Sequence, residues 1–347
     1  MPTAERHPPL ILGIESSCDE TAAAVLRGRT ILSNVVASQV DVHRAFGGVV
    51  PELASRHHLD RIDAVIDLAL RRAGVRIAEL EAVAVTYGPG LVGPLLVGLQ
   101  TAKAIAWVRR IPLLAVNHLE GHLRSVWMEH PGTEFPALSL VASGGHTALY
   151  LSRDEDDIRH VSRTRDDAAG EVFDKVATLL GLGYPGGPIV DRLAPGGDPK
   201  AVRLSPPKMS DGSLDFSFSG FKTSVLRYAR EHGLERDYPA AGEPGRATVD
   251  LVASFRSAVV EFMVGRLMTV ARREGVRSLC LSGGVACNAL LRARTAEEAG
   301  KAGLRAYAVS PALAVDNAVM IAEVGRRQFL RGATSSMTQN ADPGLEL

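Results

Sequence analysis

The segment NHLEGHLRSVW (117–127) sets His118 and His122 four residues apart with Glu120 between them. On an α-helix four residues turn the chain through about 400°. Both imidazoles then share one face, roughly 5–6 Å apart at Cβ, which is good spacing for two metal ligands. The zinc-protease helix H-E-x-x-H uses the same histidine separation but carries its Glu directly after the first His. Here Glu120 comes two residues on, roughly 200° round the helix, and faces away from any ion held by the pair. A histidine pair between packed helices has this spacing too, so a third ligand has to decide. Asp316, at the head of VDNAVMIAEVGRRQF, opens the last helical pattern, and its ordinary role there is an N-cap. If that helix and the histidine helix begin at the same place, two His and one Asp leave positions open for substrate oxygens. Such a set suits Fe(II) or Zn(II).

Other segments offer different chemistry. GIESSCDET (13–21) places Glu15, Asp19 and Glu20 around a hairpin, where they can bind a cation, act as a general base, or satisfy turn amides. LVASGGHT (140–147) puts Ser-Gly-Gly at a hairpin tip, where backbone amides can approach an anion or simply turn the chain. LSGGVACNALL (281–291) runs strand, Ser-Gly-Gly, helix, an order that aims a helix N-terminus at phosphate-like groups. It lacks the lysine of a Walker loop, which argues against a P-loop NTPase. Asp174 interrupts an apolar helical pattern in GEVFDKVATLLG, and a Gly/Pro loop leads from there to Asp191; both are candidates for a sugar-binding cleft. DFSFSGFKTSV (215–225) mixes aromatics, Ser and Lys222 without periodicity and reads as a binding loop.

The elements that must position these groups recur in one order. LILGIE, TAAAVL and TILSNVV read as three strands, followed by a helical pattern through Leu59, Ile62, Val65, Ile66, Ala69 and Leu70 that ends at Gly74. Strand 82–86, helix 95–108, strand 113–116 and the histidine helix complete βββαβαβα. From Ala137 the order repeats around a Gly/Pro-rich helical insert at about 182–247. The expected fold is therefore α/β, with duplicated lobes and a ligand cleft between them. One lobe takes residues 1–135 plus 317–347 and the other takes 136–316. The chain has 347 residues, room for two domains, and 39 Lys+Arg balance 39 Asp+Glu. No global field thus steers it to nucleic acid or membrane, and any RNA contact must come from local patches or partners. Three cysteines without a C-x-x-C suit a reducing compartment, and no stretch reads as a membrane span or signal peptide, so the cytoplasm is expected.

Ten motifs in sequence, GIESSCDETAAAV, GGVVPELASRHHLD, YGPGLVGPLLVG, NHLEGHL, LVASGGHT, GEVFDKVA, GYPGGP, DFSFSGFK, LSGGVACNALLR and DNAVMIA, resemble the universal tRNA threonylcarbamoyl transferases in their bacterial TsaD branch. The resemblance spans nearly the whole chain. It implies the actin-like, sugar-kinase and heat-shock ATPase fold with two RNase-H-like lobes. It also implies transfer of threonylcarbamoyl from threonylcarbamoyl-AMP to N6 of the adenosine beside the anticodon in tRNAs reading ANN codons. Carried over, His118, His122 and Asp316 match the family's metal ligands, for one divalent ion such as Fe2+, with Zn2+ or Mg2+ as alternatives. Val141, Ala142, Ser143, Gly144, Gly145, Asp174, Gly187, Asp191 and Asn288 match its substrate-binding positions. A TsaB-like paralogue and a TsaE-like ATPase are the implied partners. Pro94 stands where the family has a small residue, and ALAV precedes Asp316 in place of the common Cys-Thr; neither removes a ligand. The rival functions are a small-molecule kinase on the same fold, a metallopeptidase, which the misplaced Glu120 disfavours, and a non-enzymatic assembly module.

Overall fold

The structure is a computed structural model that describes residues 7–206, 209, 211–236 and 242–347. It divides into two compact units: Met1–Gln39, Val49–Glu129 and Asp316–Leu347 form the first, Val40–Gly48 and His130–Val315 the second. Against the divide expected from sequence, Asp316 falls with the first unit, while Val40–Gly48 and residues 130–135 fall with the second.

In the first unit β1 (Leu10–Glu15), β2 (Glu20–Arg27), β3 (Thr30–Ser38), β4 (Ala82–Gly88) and β5 (Leu113–Asn117) form one sheet in the order β3-β2-β1-β4-β5. The hairpin strands β1, β2 and β3 pair antiparallel, and β4 and β5 add parallel to β1. Every residue of β1 is buried, as a strand covered on both faces requires. Helix Pro51–Ala73 starts on a proline and stops at Gly74, whose φ of 66° fits an αL cap. It buries Ile62, Val65, Ile66, Ala69 and Leu70, whereas Leu59 stays 64% exposed despite fitting the periodicity. Helix Ala318–Leu330 lies so close to the sheet that a Cβ at Gly325 would stand 2.3 Å from the Ala84 methyl. Small residues on both partners are what allow that approach.

The second unit repeats the plan. β6 (Ala137–Ala142), β7 (Thr147–Ser152), β8 (Ile158–Arg163), β9 (Ser278–Ser282) and β10 (Arg305–Ala308) run in the order β10-β9-β6-β7-β8, with an antiparallel hairpin side and a parallel side. The duplicated strand order expected from sequence is thus present in both units. Within the insert, Gly186–Leu193 is a helix where a Gly/Pro loop was expected. Residues 207–208, 210 and 237–241 of the insert lie outside the described residues. The motif DFSFSGFK is not a binding loop: Phe216, Phe218 and Phe221 are fully buried and meet Phe262 with ring centroids 5.8–5.9 Å apart. Phe216 and Phe218 lie in an irregular segment without strand or helix periodicity, and Phe221 already belongs to the helix that follows, Ser219–Glu231, whose buried face it shares with Val225 and Ala229. Lys222 pairs with Asp167 at 3.1 Å. Among the described residues no helix is long and apolar enough to cross a membrane.

Candidate metal centre and amide loops

The histidine helix, His118–Glu129, begins directly where β5 ends, and Asn117 starts it by accepting the Leu119 amide at 2.8 Å on its side-chain oxygen. The imidazole rings of His118 and His122 meet edge-on, 4.7 Å between centroids. Both Nε2 atoms turn to the same oxygen, Asp316 Oδ1, at 3.6 Å from His118 and 3.2 Å from His122. One ligand atom from each of the three residues lies within 4.8 Å of the others. Asp316 is not the helix cap expected from sequence. Asn317 takes that role, accepting the Met320 amide at 3.2 Å, and leaves the Asp316 carboxylate to face the histidines.

Behind His118 stands Glu15, fully buried. Its Oε2 receives His118 Nδ1 at 3.0 Å and the Thr86 hydroxyl at 2.6 Å, and its Oε1 receives the Ser17 amide. With Nδ1 held by a carboxylate, Nε2 is the nitrogen turned to Asp316 and the one left to bind an ion, the usual arrangement behind a metal-ligating histidine. Burial alone would raise Glu15, yet the charge and hydrogen bond of His118 hold it below the usual carboxylate range. Burial alone would lower His118, yet the carboxylates of Asp316 and Glu15 push it up to about 9. Two anions therefore hold a proton between them, in the place where a divalent cation would relieve the same charge. His122 Nδ1 is buried with no hydrogen-bond partner among the described residues. Two imidazoles and a carboxylate, oriented by a second carboxylate, fit one divalent ion. Glu15, a candidate base by sequence, has both oxygens committed and is an orienting group instead.

Asp19 remains half-buried on the hairpin beside Cys18 and Glu20. Burial first, then the Asp19 charge, pushes both the Cys18 thiol and the Glu20 carboxyl well up. The hairpin is pinned by His58, fully buried, which spans the Thr21 hydroxyl at 2.7 Å and the Cys18 carbonyl at 3.0 Å. The sequence reading missed His58; adjacent histidines, His57 and His58, inside an amphipathic helix were its only signal.

In the second unit Val141 on β6 pairs with Ser282 on β9, so the two Ser-Gly-Gly loops leave neighbouring parallel strands at the same end. Val141 and Ala142 are buried strand residues and offer only backbone. Ser143 closes the first loop: its amide donates to the His146 carbonyl at 2.8 Å, and its hydroxyl accepts the His146 amide at 3.2 Å. Gly144 and Gly145 stand exposed at the tip, with nothing within 4 Å of where a Cβ would be. Gly283 has φ of 84°, and a Cβ there would sit 2.3 Å from the Ala142 carbonyl. A 3₁₀ turn, Gly284–Cys287, intervenes before helix Ala289–Lys301, so Ser-Gly-Gly does not lead straight into the helix as expected. Asn288 caps that helix, accepting the Leu291 amide at 3.0 Å. Asp191 ties the same turn to helix Gly186–Leu193: Oδ2 accepts the Ala289 amide at 3.1 Å and Oδ1 the Arg256 guanidinium at 2.6 Å. Asp174 accepts the Gly186 amide at 2.6 Å, beside Gly187, which has open space above it. The substrate-binding candidates thus form one connected group of loops within this unit. Arg256, on the long helix Arg246–Glu274, was not visible as a member from sequence.

The sequence profile of the family described as TsaD, tRNA N6-adenosine threonylcarbamoyltransferase, matches residues 30–323. A tRNA N6-adenosine threonylcarbamoyltransferase of Symbiobacterium thermophilum is 51% identical over 339 residues, 97% of this chain and 97% of the relative. One from Anaeromyxobacter is 49% identical over 339 residues, covering 97% and 99%. Among solved structures, HypF of T. kodakarensis superposes with a TM-score of 0.60 at 16% identity, over 94% of this chain and 48% of that one. Component A of the (R)-2-hydroxyglutaryl-CoA dehydratase of Acidaminococcus fermentans gives 0.54 at 14%, over 92% and 98%. These distant structures share the fold, the actin-like one with duplicated RNase-H-like units. The chain belongs to the tRNA N6-adenosine threonylcarbamoyltransferase family, and it is a tRNA-modifying transferase.

Proposed function

We propose that this enzyme transfers the threonylcarbamoyl group of L-threonylcarbamoyl-AMP to N6 of adenosine 37 in tRNAs reading ANN codons, releasing AMP. The observation that carries the reading is the convergence of His118 and His122 on Asp316, with Glu15 behind His118, in a chain of this family. His118, His122 and Asp316 would hold one divalent ion, Fe2+ foremost, with Zn2+ or Mg2+ as alternatives. Bound there, the ion supplies Lewis acidity toward a carbonyl oxygen. The amides around Ser143, Gly144 and Gly145 and the Gly283–Asn288 turn take the adenylate phosphate. Asp174 and Asp191 place carboxylate oxygens, acceptors by chemistry, where ribose hydroxyls would donate, and the Asn288 amide can donate.

An exocyclic adenine amine is a weak nucleophile, so positioning and electrophile activation supply most of the acceleration. The N6 lone pair forms the new C–N bond at the carbamoyl carbon. The C–O bond to phosphate then breaks, and AMP leaves with its electron pair. Asp19, on the hairpin beside the cluster, is the carboxylate that takes the N6 proton. A TsaB-like paralogue and a TsaE-like ATPase are the partners the family resemblance implies, and a chain with no excess of Lys and Arg should bind tRNA only modestly without them. The enzyme would act in the cytoplasm, where its tRNA is.

The test supplies the purified chain, with both partners, with synthetic threonylcarbamoyl-AMP and tRNA lacking the modification. Threonylcarbamoyladenosine in digested tRNA should rise in step with AMP. Adenylate hydrolysis without transfer, or ATP-dependent phosphorylation of a small metabolite instead, would sink the proposal.

A further inference from the structure

We propose that residues 335–346 form a strap whose hold on Gly88 and Asn117 presets the start of the histidine helix, and so the aim of His118. The strap begins on the outer edge of β5, which no other strand covers among the described residues. There the Ser335 amide donates to the Leu113 carbonyl at 2.8 Å, and its hydroxyl accepts the Ala115 amide at 2.9 Å. An edge strand with free amides needs such a cover. Met337 and Ala341 then pack on the first unit's core, and Lys103 Nζ donates to the Gln339 carbonyl at 2.5 Å. At its far end the strap crosses the tips of β4 and β5. The Asp342 amide donates to the Tyr87 carbonyl at 2.8 Å, and the Gly90 amide donates to the Pro343 carbonyl at 3.3 Å.

Two residues receive this segment, and they face each other. Gly88 on β4 pairs with Asn117 on β5, just past a register shift in the ladder. A Cβ at Gly88 would stand 2.0 Å from the Asp342 carbonyl, so only glycine lets the strap lie there. Asn117, 6% exposed, uses both ends of its amide: Nδ2 donates to the Glu346 carbonyl at 3.2 Å, and Oδ1 accepts the amides of Leu119 at 2.8 Å and Glu120 at 3.4 Å. The carbonyl on the strap therefore sets which way the amide points, and the amide caps the helix whose first residue is His118. A second route runs through the same turn. The Leu91 amide donates to the Ser17 carbonyl at 2.8 Å, and the Ser17 hydroxyl lies 3.2 Å from His118 Nδ1. Gly88 and Gly90 of YGPGLVG thus have a physical task, the first to admit the strap and the second the Ser17 backbone, whose carbonyl lies 2.5 Å from where a Gly90 Cβ would stand.

Asn117 is on this view a positioning residue for a metal ligand. The assignment rests on the metal reading above, so the test keeps the two separable. Amide exchange over residues 117–122 is measured on the metal-free full chain, and affinity is measured with Co2+ alone as the probe, for wild type, Asn117→Ala, Asn117→Asp, Lys103→Ala and His118→Ala. Asn117→Ala should speed exchange at 118–122 and weaken Co2+ about tenfold, as loss of an outer-shell partner does. Asn117→Asp keeps the capping oxygen but not the donor to Glu346, and should fall between. Lys103→Ala, remote from the histidines, should speed exchange both in the strap and at 117–120. Unchanged exchange at 117–122 in the Asn117 and Lys103 variants overturns the strap. A His118→Ala protein that binds Co2+ like the wild type overturns the metal reading alone, and the exchange result still decides the strap.

Discussion

The two units share one ladder, yet their first hairpin turns do opposite work. Between β1 and β2 the turn carries Glu15, Asp19 and Glu20, and it closes on His118 with a buried carboxylate. Between β6 and β7 the corresponding turn is Ser143 to His146, bare at its two glycines. The topology fixes where a loop emerges; the side chains decide which charge it can receive. A cation centre needs anions taken out of water and held by neighbours, as Glu15 is held by Thr86 and Ser17. An anion centre needs amides within reach and no Cβ in the way, as at Gly144 and Gly145. In the second unit the acids serve the scaffold as well: Asp174 and Asp191 each accept a backbone amide.

The sharpest way to break this contrast is to remove a side chain from each unit and compare kinetics. His122→Ala should depress turnover at saturating threonylcarbamoyl-AMP by more than the roughly 10–100-fold typical of losing an outer-shell partner, and should lower bound metal. Glu15→Gln, which leaves His118 in place, should fall inside that range. Asp174→Ala should act mainly on the substrate KM. Steady-state kinetics with parallel elemental analysis checks all three, and a KM effect in His122→Ala with unchanged kcat would erase the proposed division of labour.

A smaller effect separates glycines needed for backbone shape from glycines needed for open space. Gly283 combines φ of 84° with a carbonyl 2.3 Å from a would-be Cβ. Gly283→Ala should therefore cost at least about 2 kcal/mol, read as a lower Tm. Gly144→Ala meets nothing and should leave Tm unchanged while weakening AMP binding, measured by calorimetry. If Gly144→Ala binds AMP like the wild type, that loop is a turn and nothing more.

Periodicity made the strand order and long helices legible, because burial on one or both faces imposes a period the sequence must obey. The histidine pair was legible for a related reason: i,i+4 spacing is a local property of a helix. What was hidden depends on contacts distant in sequence. Asn317 outcompetes its neighbour as the helix cap, and the Asp316 carboxylate meets the histidines instead. Glu15 reads as a base until Thr86, 71 residues away, is seen to occupy it. Phe216 and Phe218 carry no period because their segment is irregular up to the helix that takes Phe221, and helix Gly186–Leu193 hides behind residues that favour turns. The lesson concerns range, since local geometry announces itself and commitment of a polar group does not.

Asn288 tests that lesson at the smallest scale, because a single side chain caps a helix and is proposed to meet the ligand as well. Its oxygen caps helix Ala289–Lys301, so only its NH2 remains for the adenylate. Replacing it by Ala removes both functions, and the lost cap alone should cost about 1 kcal/mol. Asp caps a helix as well as Asn does, so Asn288→Asp should keep wild-type stability. It nonetheless loses both donors and sets a negative charge beside the turn proposed to take the phosphate, so it should bind AMP more weakly than Asn288→Ala does. Thermal melts paired with AMP titrations give the two readings on the same samples. An Asn288→Asp protein that is stable and binds AMP like the wild type would mean that Asn288 is a cap only, and that the anion contacts of this unit come from backbone alone.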